Sequence, residues 1–413
     1  MKDGKRGVFV INPHGLWNNE QLLKDCGIIP YMLHKNHGFR SVMVGAGKFN
    51  HEKYPYLEKY VRGLEMDFFP ENTTQARLEY IKAHAAEMDL MICYGPYQEH
   101  FPCVEYYKRL RPDGKIYLAT DMNINWASNS RHTSSELGKF IQSCDVVAAS
   151  CRAVQKYLSA KWRVPIEMIR NGWYNFPKVS FGNLFEQKEN IILTVGRLGT
   201  DQKRTDILLE AFAKVAADLP DWRLRLVGKV HETFKPWIEN YFAAHPELKE
   251  RVTFTGLIED KTELANEYKR AKIFCLTSPA EGGTPNVTAE ALFAGDFMIF
   301  SSIDAAYEAT DDNKCGRVFP IGNIDALANI FREVCPNDKL ILAGGKHAVE
   351  YARRNFDAEH IVARLHYLLY GGDANEPNDF KQRRIHSSRR VQQVAQSRQH
   401  RKSGGKSKRL DAK

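Results

Sequence analysis

Long apolar runs are absent from this sequence of 413 residues, since no stretch approaches the roughly 18 apolar residues that a membrane-spanning helix needs. The first apolar stretch, Gly7–Ile11, is too short for the core of a secretion signal and is followed at once by Asn12 and Pro13. We therefore interpret Gly7–Ile11 as a β-strand, and we expect the chain to remain in the cytoplasm.

Paired cysteines are also lacking, because none of the eight cysteines belongs to a Cys-x-x-Cys motif. Several lie inside apolar, strand-like runs, among them Cys93 in LMICYG and Cys275 in IFCLTS. This distribution predicts the buried thiols of a cytoplasmic protein, and it argues against a disulfide framework and against a zinc site.

An excess of basic charge is lacking in the body of the chain, although the net charge of the whole sequence is +9. The segment from Lys381 onward contains twelve Lys or Arg and one Asp. Its net charge of +11 is larger than that of the whole sequence, so the rest of the chain is nearly neutral. Its composition predicts a disordered tail. A solvated end is the role we favour, while contact with anionic lipid headgroups and non-specific nucleic-acid binding stay open. The nearly neutral body makes nucleic acid the less favoured partner.

Short apolar runs alternate with polar, helix-like stretches along the first half of the chain, and the pattern restarts near Ile191. Strands are predicted at Gly7–Ile11, Arg40–Val44, Leu90–Tyr94, Lys115–Ala119, Val146–Ala149, Ile191–Val195, Trp222–Val227, Val252–Thr255, Ile273–Leu276 and Phe297–Phe300. Helices are predicted at Gln21–Lys35, Ala76–Glu87, Thr205–Asp218, Lys235–Ala244, Leu264–Lys269, Thr288–Ala294, Asp325–Val334 and Lys346–Leu369.

This alternation predicts an α/β protein with two doubly wound parallel sheets, each covered by helices. We place the first domain at residues 1–180, the second at 181–345, a final helix at 346–370 and the basic tail at 371–413. Because ligands of such sheets bind beyond the carboxyl ends of the strands, the cleft between the two domains is the expected site.

The stretch TVGRLGTDQKRTD places two cations between a strand end and a helix start. Gly196 allows a tight turn, Arg197 stands at the strand end, and Lys203 precedes the helix. An arginine fork and a lysine point charge at such a position suit a diphosphate. A solvated loop with two surface cations explains the stretch equally well when it is taken alone.

The stretch SPAEGGTPNVTAEALFAG joins an acidic loop to a helix that begins near Asn286. Gly282 and Gly283 permit close approach of the backbone to a ligand, and the helix start offers free amides to a phosphate or sugar oxygen. Glu281 on the loop and Glu290 on the helix can accept hydrogen bonds from sugar hydroxyls. The alternative is a Gly-Pro turn before a helix whose acids face solvent.

The order of these motifs resembles glycosyltransferase family four, whose members have the GT-B fold of two facing Rossmann-like domains. The resemblance is carried by GRL with a following lysine, by LVG and VTFTGLI, and by E-GG-TPNV-x-x-EAL-x-AG. It covers residues 191–334 well, and CDVVAASCRAVQKYL with IRNGW resembles the segment before that family's domain crossover. The predicted last helix resembles one that packs back across the first domain.

The resemblance implies a role for each motif residue. Arg197 and Lys203 would hold the diphosphate of a nucleotide-sugar donor and stabilise the charge that develops on the leaving group. Glu281 would contact the donor sugar, and Glu290 would bind the nucleotide ribose. The further donor contacts that it implies are Gly196, Gly256, Ile258, Gly282, Gly283, Thr284, Asn286 and Val287.

The resemblance implies neither a metal nor a cofactor besides the nucleotide sugar, because two cations already neutralise the diphosphate. We also find no acidic pair of the Asp-x-Asp type placed to hold a metal. One departure concerns the two glutamates, which the family usually spaces eight apart and which are nine apart here. The loop after Glu281 must therefore bulge by one residue.

The first domain offers further candidates. His14 and Gly15 in NPHGLWNNEQLL could lie in a loop close to the donor phosphates. The strand KIYLAT leads into Asp121, whose carboxylate could touch the donor sugar or accept the acceptor's proton, although we favour a simple capping role. The stretch Tyr94, Gly95, Pro96 and Tyr97, with His100, could line the acceptor side, since aromatic residues stack on sugar faces, but buried tyrosine is common in cores.

We therefore predict a retaining, metal-independent glycosyltransferase of the hexosyltransferase type. It would move a sugar from a nucleotide-diphosphate sugar to a glycan or a lipid-linked saccharide in cell-surface polysaccharide synthesis, with peripheral membrane contact through the tail. Retention follows from the resemblance alone. The alternatives are an epimerase or phosphorylase-like enzyme of the same fold, a nucleotide-sugar-binding protein without transfer, and a nucleic-acid-binding protein.

Overall fold

The computed structural model describes residues 6–129, 136–180 and 184–371. The predictions made for the basic tail, both its disorder and its contacts, concern residues that lie outside this description. No helix among the described residues is long and apolar enough to cross a membrane.

The first half of the chain forms a seven-stranded parallel sheet in the order β3-β2-β1-β4-β5-β6-β7. Its strands are β1 (Gly7–Ile11), β2 (Arg40–Ala46), β3 (Leu64–Phe69), β4 (Met88–Tyr94), β5 (Lys115–Ala119), β6 (Val146–Ala149) and β7 (Glu167–Met168). The helices of this half are α1 (Asp25–His37), α2 (Tyr56–Lys59), α3 (Thr74–His84), α4 (His100–Leu110), α5 (Ile124–Asn129), α6 (Glu136–Ser143) and α7 (Arg152–Trp162).

The second half forms a six-stranded parallel sheet in the order β10-β9-β8-β11-β12-β13. Its strands are β8 (Glu189–Val195), β9 (Arg223–Val227), β10 (Val252–Gly256), β11 (Ala271–Leu276), β12 (Phe297–Ser301) and β13 (Gly316–Phe319). The helices that follow β8 are α8 (Thr205–Val215), α9 (Lys235–Ala244), α10 (Lys261–Arg270), α11 (Asn286–Phe293), α12 (Ala306–Ala309), α13 (Ile324–Val334), α14 (Asp338–Asn355) and α15 (Ala358–Tyr370).

The central strands are apolar on both faces, as parallel sheets covered by helices require. Every residue of β1, GVFVI, and of β12, FMIFS, is buried. The prediction of two doubly wound sheets is therefore confirmed. The eight cysteines are free, and all but the half-buried Cys144 are buried, which confirms the prediction of buried thiols.

Several predicted helices differ from the structure by one to three residues at an end, and two differ more. The helix predicted at Gln21–Lys35 begins only at Asp25, because a 3₁₀ turn at Asn19–Leu23 comes first and Lys24 adopts an extended conformation (φ −100°, ψ 176°). The prediction of a single helix at Lys346–Leu369 is wrong, because this segment belongs to two helices, α14 and α15. Between them, at Phe356 and Asp357, the chain leaves the helical conformation, and Asp357 pairs with Trp173.

Charged side chains and backbone contacts connect the two halves of the chain. The buried Glu308 accepts hydrogen bonds from Nε of Arg152 and Nε of Arg170, both at 2.6 Å. The amide of Trp173 donates to the carbonyl of Phe356 (2.8 Å). Because Glu308 is 2% exposed and has both arginines as partners, the halves meet through a satisfied buried charge.

Candidate functional site

A cleft of about 790 Å³ opens between the two halves, beyond the carboxyl ends of both sheets. Eleven of the residues singled out from the sequence line it: Gly196, Arg197, Lys203, Ile258, Glu281, Gly282, Thr284, Asn286, Val287, Glu290 and Asp121. This is the position that doubly wound sheets give to their ligands. The structure thus brings both sequence motifs of the second half to one wall of one cleft.

Lys203 and Glu281 form an ion pair at the centre of this wall. Glu281 is fixed from two further sides, by the Ser278 hydroxyl at 2.6 Å and by Nε2 of Gln202 at 3.1 Å. Gln202 in turn accepts a hydrogen bond from Arg197, whose side chain is exposed. The two cations and the first glutamate therefore belong to one connected polar network that faces the cleft.

Glycine residues allow this network to form close to the backbone. The Lys203 side chain passes over Gly196, where a Cβ would lie 3.4 Å from Lys203 Cε. At Gly228 a Cβ would overlap the Gly196 carbonyl oxygen, so the turns after β8 and β9 lie directly against each other. The turn at Gly196 therefore lies against a second one at Gly228, the glycine of the LVG motif.

Glu290 lies on the second turn of α11 and faces the same cleft. Its carboxylate accepts a hydrogen bond from the Tyr268 hydroxyl at 2.5 Å. Burial raises the pKa of Glu290, while the Tyr268 hydroxyl and the charges of Lys261 and Lys24 oppose this shift. A carboxylate held in this way presents its remaining lone pairs to whatever enters the cleft.

The additional residue between the two glutamates is absorbed at Gly283 and Thr284. Gly283 has a positive φ of 102°, and a Cβ there would overlap the Ser150 hydroxyl. The Thr284 amide donates to Ser150 Oγ at 3.0 Å, and Asn171 Nδ2 donates to the Thr284 carbonyl at 2.9 Å. This bulge therefore docks on the first half, and the Thr284 amide is not free for a ligand.

Asp121 lies at the floor of the cleft, directly after β5, with a positive φ of 37°. A Cβ on Gly282 would lie 2.8 Å from Asp121 Oδ1, so the carboxylate rests against the glycine-rich loop of the second half. The favoured capping role is not what the structure shows, because the side chain of Asn123 accepts the hydrogen bond from the Trp126 amide at the start of α5.

A second acid, Asp25, lies beside Asp121 and was missed in the sequence analysis. The two line a small cavity beneath the cleft, together with Thr120, Ser150 and other residues. More than a third of Asp121 is open to the cleft, yet the enclosing protein and the negative charges of Asp25 and Glu281 raise its pKa. Burial likewise raises the pKa of Asp25, against a hydrogen bond from Asn286.

Several candidate residues, Tyr97 and His100 among them, do not line the cleft. Gly256 ends β10 in a left-handed conformation (φ 76°), and its carbonyl accepts a hydrogen bond from the Gly228 amide. Gly283 is buried against Ser150. His14 and Gly15 lie elsewhere on the first half, where the ring centroid of His14 is 4.4 Å from that of Tyr97.

The first half lines the cleft with a different loop, at residues 18–24, and not with the loop at His14 and Gly15. Its cleft-lining residues are Asn18, Asn19, Glu20, Gln21, Leu23 and Lys24. One sequence signal could have indicated this turn. Asn18 and Gln21 form a capping box, in which each side chain accepts a hydrogen bond from the other's amide. Other cleft residues missed from the sequence are Lys229, Lys261, Tyr268 and Trp173.

Contacts between the halves also cross the rim of the cleft. They involve six residues, which we call the rim bridge: Glu20, Tyr56, Lys59, Glu259, Asp260 and Lys261. The Tyr56 hydroxyl donates to the Glu259 carbonyl (2.7 Å) and lies 2.9 Å from a Glu20 carboxylate oxygen. Glu20 also pairs with Lys261 at 2.7 Å, and Lys59 pairs with Asp260 at 3.0 Å.

Among the described residues, no group of three or more His, Cys, Asp or Glu could hold a metal ion.

Known proteins match both the second half and the whole fold. Residues 189–337 match the family model described as glycosyl transferases group 1. The phosphatidyl-myo-inositol mannosyltransferase of Mycolicibacterium smegmatis is 26% identical over 183 residues, which are 44% of this chain and 45% of that relative. Its counterpart from Mycobacterium leprae is 27% identical over 177 residues, 42% of this chain and 44% of the relative. The chain thus spans about half the length of the curated relatives it matches.

Solved structures match over nearly the whole described chain. Sucrose-phosphate synthase from Thermosynechococcus elongatus has a TM-score of 0.67 at 18% identity, covering 88% of this chain and 98% of that one. HepE from Anabaena in complex with UDP has a TM-score of 0.67 at 17% identity, covering 87% and 98%. At such identities the likeness shows the fold. The two parallel sheets and the cleft between them have the GT-B fold, and the second half resembles the glycosyl transferases of group 1, the family-four type.

Proposed function

We propose that this protein is a retaining glycosyltransferase that moves a sugar from a nucleoside-diphosphate sugar to a glycan or a lipid-linked saccharide. The observation that carries the proposal is the network of Arg197, Gln202, Lys203 and Glu281, which shares one cleft with Glu290 and the start of α11. Cations, a helix N-terminus and two carboxylates are the groups that a diphosphate, a ribose and a sugar require.

In this proposal the cations bind the diphosphate. Arg197 and Lys203 lie on one wall of the cleft, and both stabilise the negative charge that grows on the diphosphate as its bond to the anomeric carbon breaks. Lys203 is already held in place by Glu281, so little reorganisation is needed when the donor binds. Two fixed cations account for the metal-independent chemistry that we propose.

The two glutamates divide the remaining donor contacts between them. Glu290, held by Tyr268, accepts hydrogen bonds from the ribose, and Glu281 accepts them from the donor sugar. Asp121 faces the same point from the first half and is the candidate for accepting the proton of the acceptor hydroxyl. In retaining transfer, the new bond forms on the face of the anomeric carbon from which the nucleoside diphosphate leaves.

The relatives support a saccharide or lipid-linked acceptor. Those named phosphatidyl-myo-inositol mannosyltransferases act, by their names, on a lipid, and HepE was crystallised with UDP and with UDP-glucose. We propose that this chain acts in the cytoplasm in cell-surface polysaccharide synthesis. Peripheral membrane contact through the segment from Lys381 onward stays a prediction.

Thermal unfolding in the presence of UDP, GDP, CDP and ADP tests the donor site. A nucleotide that binds only the folded state at 100 times its Kd stabilises it by about 2.7 kcal/mol. We expect one nucleoside diphosphate to raise the Tm of the wild type, and we expect Lys203→Ala and Glu290→Ala each to reduce that rise. The control is Lys214→Ala, which removes an exposed ion pair on α8. An equal rise in all four proteins would overturn the site assignment.

The same donors distinguish the alternative functions. A binding protein without transfer would bind nucleotide and release no sugar with any acceptor. An epimerase would convert the donor sugar in the absence of an acceptor. Either result would replace the proposed activity while leaving the donor cleft in place.

A further inference from the structure

The cations that line the cleft outnumber its ion pairs. Lys203 and Lys261 are half-buried and are paired with Glu281 and Glu20. Three further cations line the cleft, are exposed and form no ion pair with any residue that the structure describes: Lys24, Arg197 and Lys229. An anion that enters the cleft therefore meets positive charge that no carboxylate neutralises at contact distance. Of these three cations, Lys24 comes from the first half.

The backbone around Lys24 is fixed. Lys24 comes between the 3₁₀ turn at Asn19–Leu23 and α1, in an extended conformation. Its amide donates to the Gln21 carbonyl at 3.2 Å, and the Asp25 carbonyl accepts a hydrogen bond from the Tyr94 hydroxyl at 2.8 Å. Because the chain is held on both sides of Lys24, its exposed side chain lines the cleft from a defined point on the first half.

Carboxyl groups of both halves lie near Lys24. Burial raises the pKa of Asp25, Asp121 and Glu290, and the positive charge of Lys24 opposes each of these shifts. Asp25 also accepts a hydrogen bond from Asn286, the first residue of α11. Lys24 is the chain neighbour of Asp25, so their Cα atoms are about 3.8 Å apart. Lys24 therefore lies within reach of the start of α11, where the second half is proposed to hold the donor.

The chemistry of the proposed transfer places new negative charge on one phosphate. The bond between the anomeric carbon and an oxygen of the β-phosphate breaks, and its electron pair remains on that oxygen. The acceptor oxygen forms the new bond to this carbon, and its proton passes to Asp121. Arg197 and Lys203 face the growing charge from the second half, but Lys203 is already paired with Glu281. An unpaired lysine from the first half would meet the new charge with its full positive charge.

We propose that Lys24 is a catalytic residue, which contacts the β-phosphate of the donor from the first half and stabilises the departing nucleoside diphosphate. This inference rests on the proposed function, and it adds a cation of the first half to the donor site. It places the β-phosphate between Lys24 and Lys203. Because Lys24 has no ion pair to break when the donor binds, its contact strengthens as the leaving group becomes more negative.

Isothermal titration calorimetry on the full chain tests this contact with two probes, the nucleoside diphosphate that raises the Tm of the wild type and the corresponding monophosphate. Lys24→Met removes the charge and should weaken binding of the diphosphate about tenfold. Binding of the monophosphate, which lacks the β-phosphate, should change less than about twofold. Lys24→Arg keeps the charge and should bring diphosphate binding to within about threefold of the wild type. The control is Lys82→Met, an exposed position on α3, which should bind both probes as the wild type does.

Transfer measured on the same proteins adds a kinetic readout. Lys24→Met should lower kcat about tenfold with a smaller change in KM, because the charge on the leaving group is largest in the transition state. Equal diphosphate affinity in the wild type and Lys24→Met would overturn the proposal, and so would an equal loss of affinity for both probes. A wild type whose Tm responds to no nucleoside diphosphate would instead overturn the proposed function and, with it, this contact.

Discussion

At the scale of single residues, the protonation of two neighbouring carboxyl groups, Asp121 and Asp25, is a central property of the site. Asp121 and Asp25 line one small cavity, and Lys24 is the cation that opposes the raised pKa of both. The other groups around them are Glu281, Tyr94, Tyr117, Cys26 and Arg170. Repulsion between the two acids favours a bound proton on one of them.

A pH-dependent stability follows from Asp121. Burial, and then the charges of Asp25 and Glu281, raise its pKa from the ordinary 3.8 to about 7. Because the folded state then binds the proton more tightly than the unfolded state, the free energy of unfolding falls as pH rises from about 4 to about 7. Asp121→Asn should reduce this fall in the free energy of unfolding. Asp25→Asn removes a negative charge that raises the pKa of Asp121, so the fall should then be complete at a lower pH.

Urea unfolding at pH 4.5, 5.5, 6.5 and 7.5 measures both effects. Asp218→Asn, on the surface and paired with Arg332, serves as the control and should keep the wild-type dependence. If Asp121→Asn follows the wild type at every pH, Asp121 does not hold the raised pKa.

At the scale of elements, the sequence predicted most strands of the second sheet because they are short apolar runs between polar helices. It did not predict β3, whose sequence LEMDFF interrupts the apolar pattern with two acids, the two-residue β7 or the short β13, GRVF. The division between α14 and α15 could not be read locally, since it is set by pairing with Trp173. The docking of Gly283 and Thr284 on Ser150 likewise joins residues more than 130 positions apart.

The rim bridge should control how fast a nucleotide enters the cleft. The Tyr56 hydroxyl contacts the Glu259 carbonyl and Glu20, so Tyr56→Phe removes about 1 kcal/mol from the closed arrangement. If opening limits entry, the association rate constant of the bound nucleoside diphosphate should rise about fivefold, as stopped-flow tryptophan fluorescence would report.

Tyr241→Phe is the matched control for the rim bridge. Its hydroxyl donates to the Leu209 carbonyl at 3.0 Å inside the second half, and its loss should leave the association rate unchanged. The same rate in wild type and Tyr56→Phe would show that the rim contacts do not limit entry.

At the scale of the whole molecule, two similar sheets produce one site because each contributes a different kind of group. The second half contributes the cations and the two glutamates, and the first half contributes Asp121 and the loop at residues 18–24. The motifs of the second half were readable because they lie within short stretches of sequence. The wall of the cleft that the first half forms could not be predicted from the sequence. Residues 18–24, Asp25 and Asp121 are far apart in the chain and come together only in the folded structure.

Transfer itself is the measurement that tests the central claim most directly. The full chain is mixed with α-linked UDP- and GDP-sugars and a methyl glycoside, without added metal and with EDTA. Released nucleoside diphosphate is followed by ³¹P NMR, and the new anomeric centre is followed by ¹H NMR. We predict release that depends on the acceptor and on Lys203, with an α-linked product. A β-linked product would contradict retention, and the absence of release from every donor would contradict the proposed transfer.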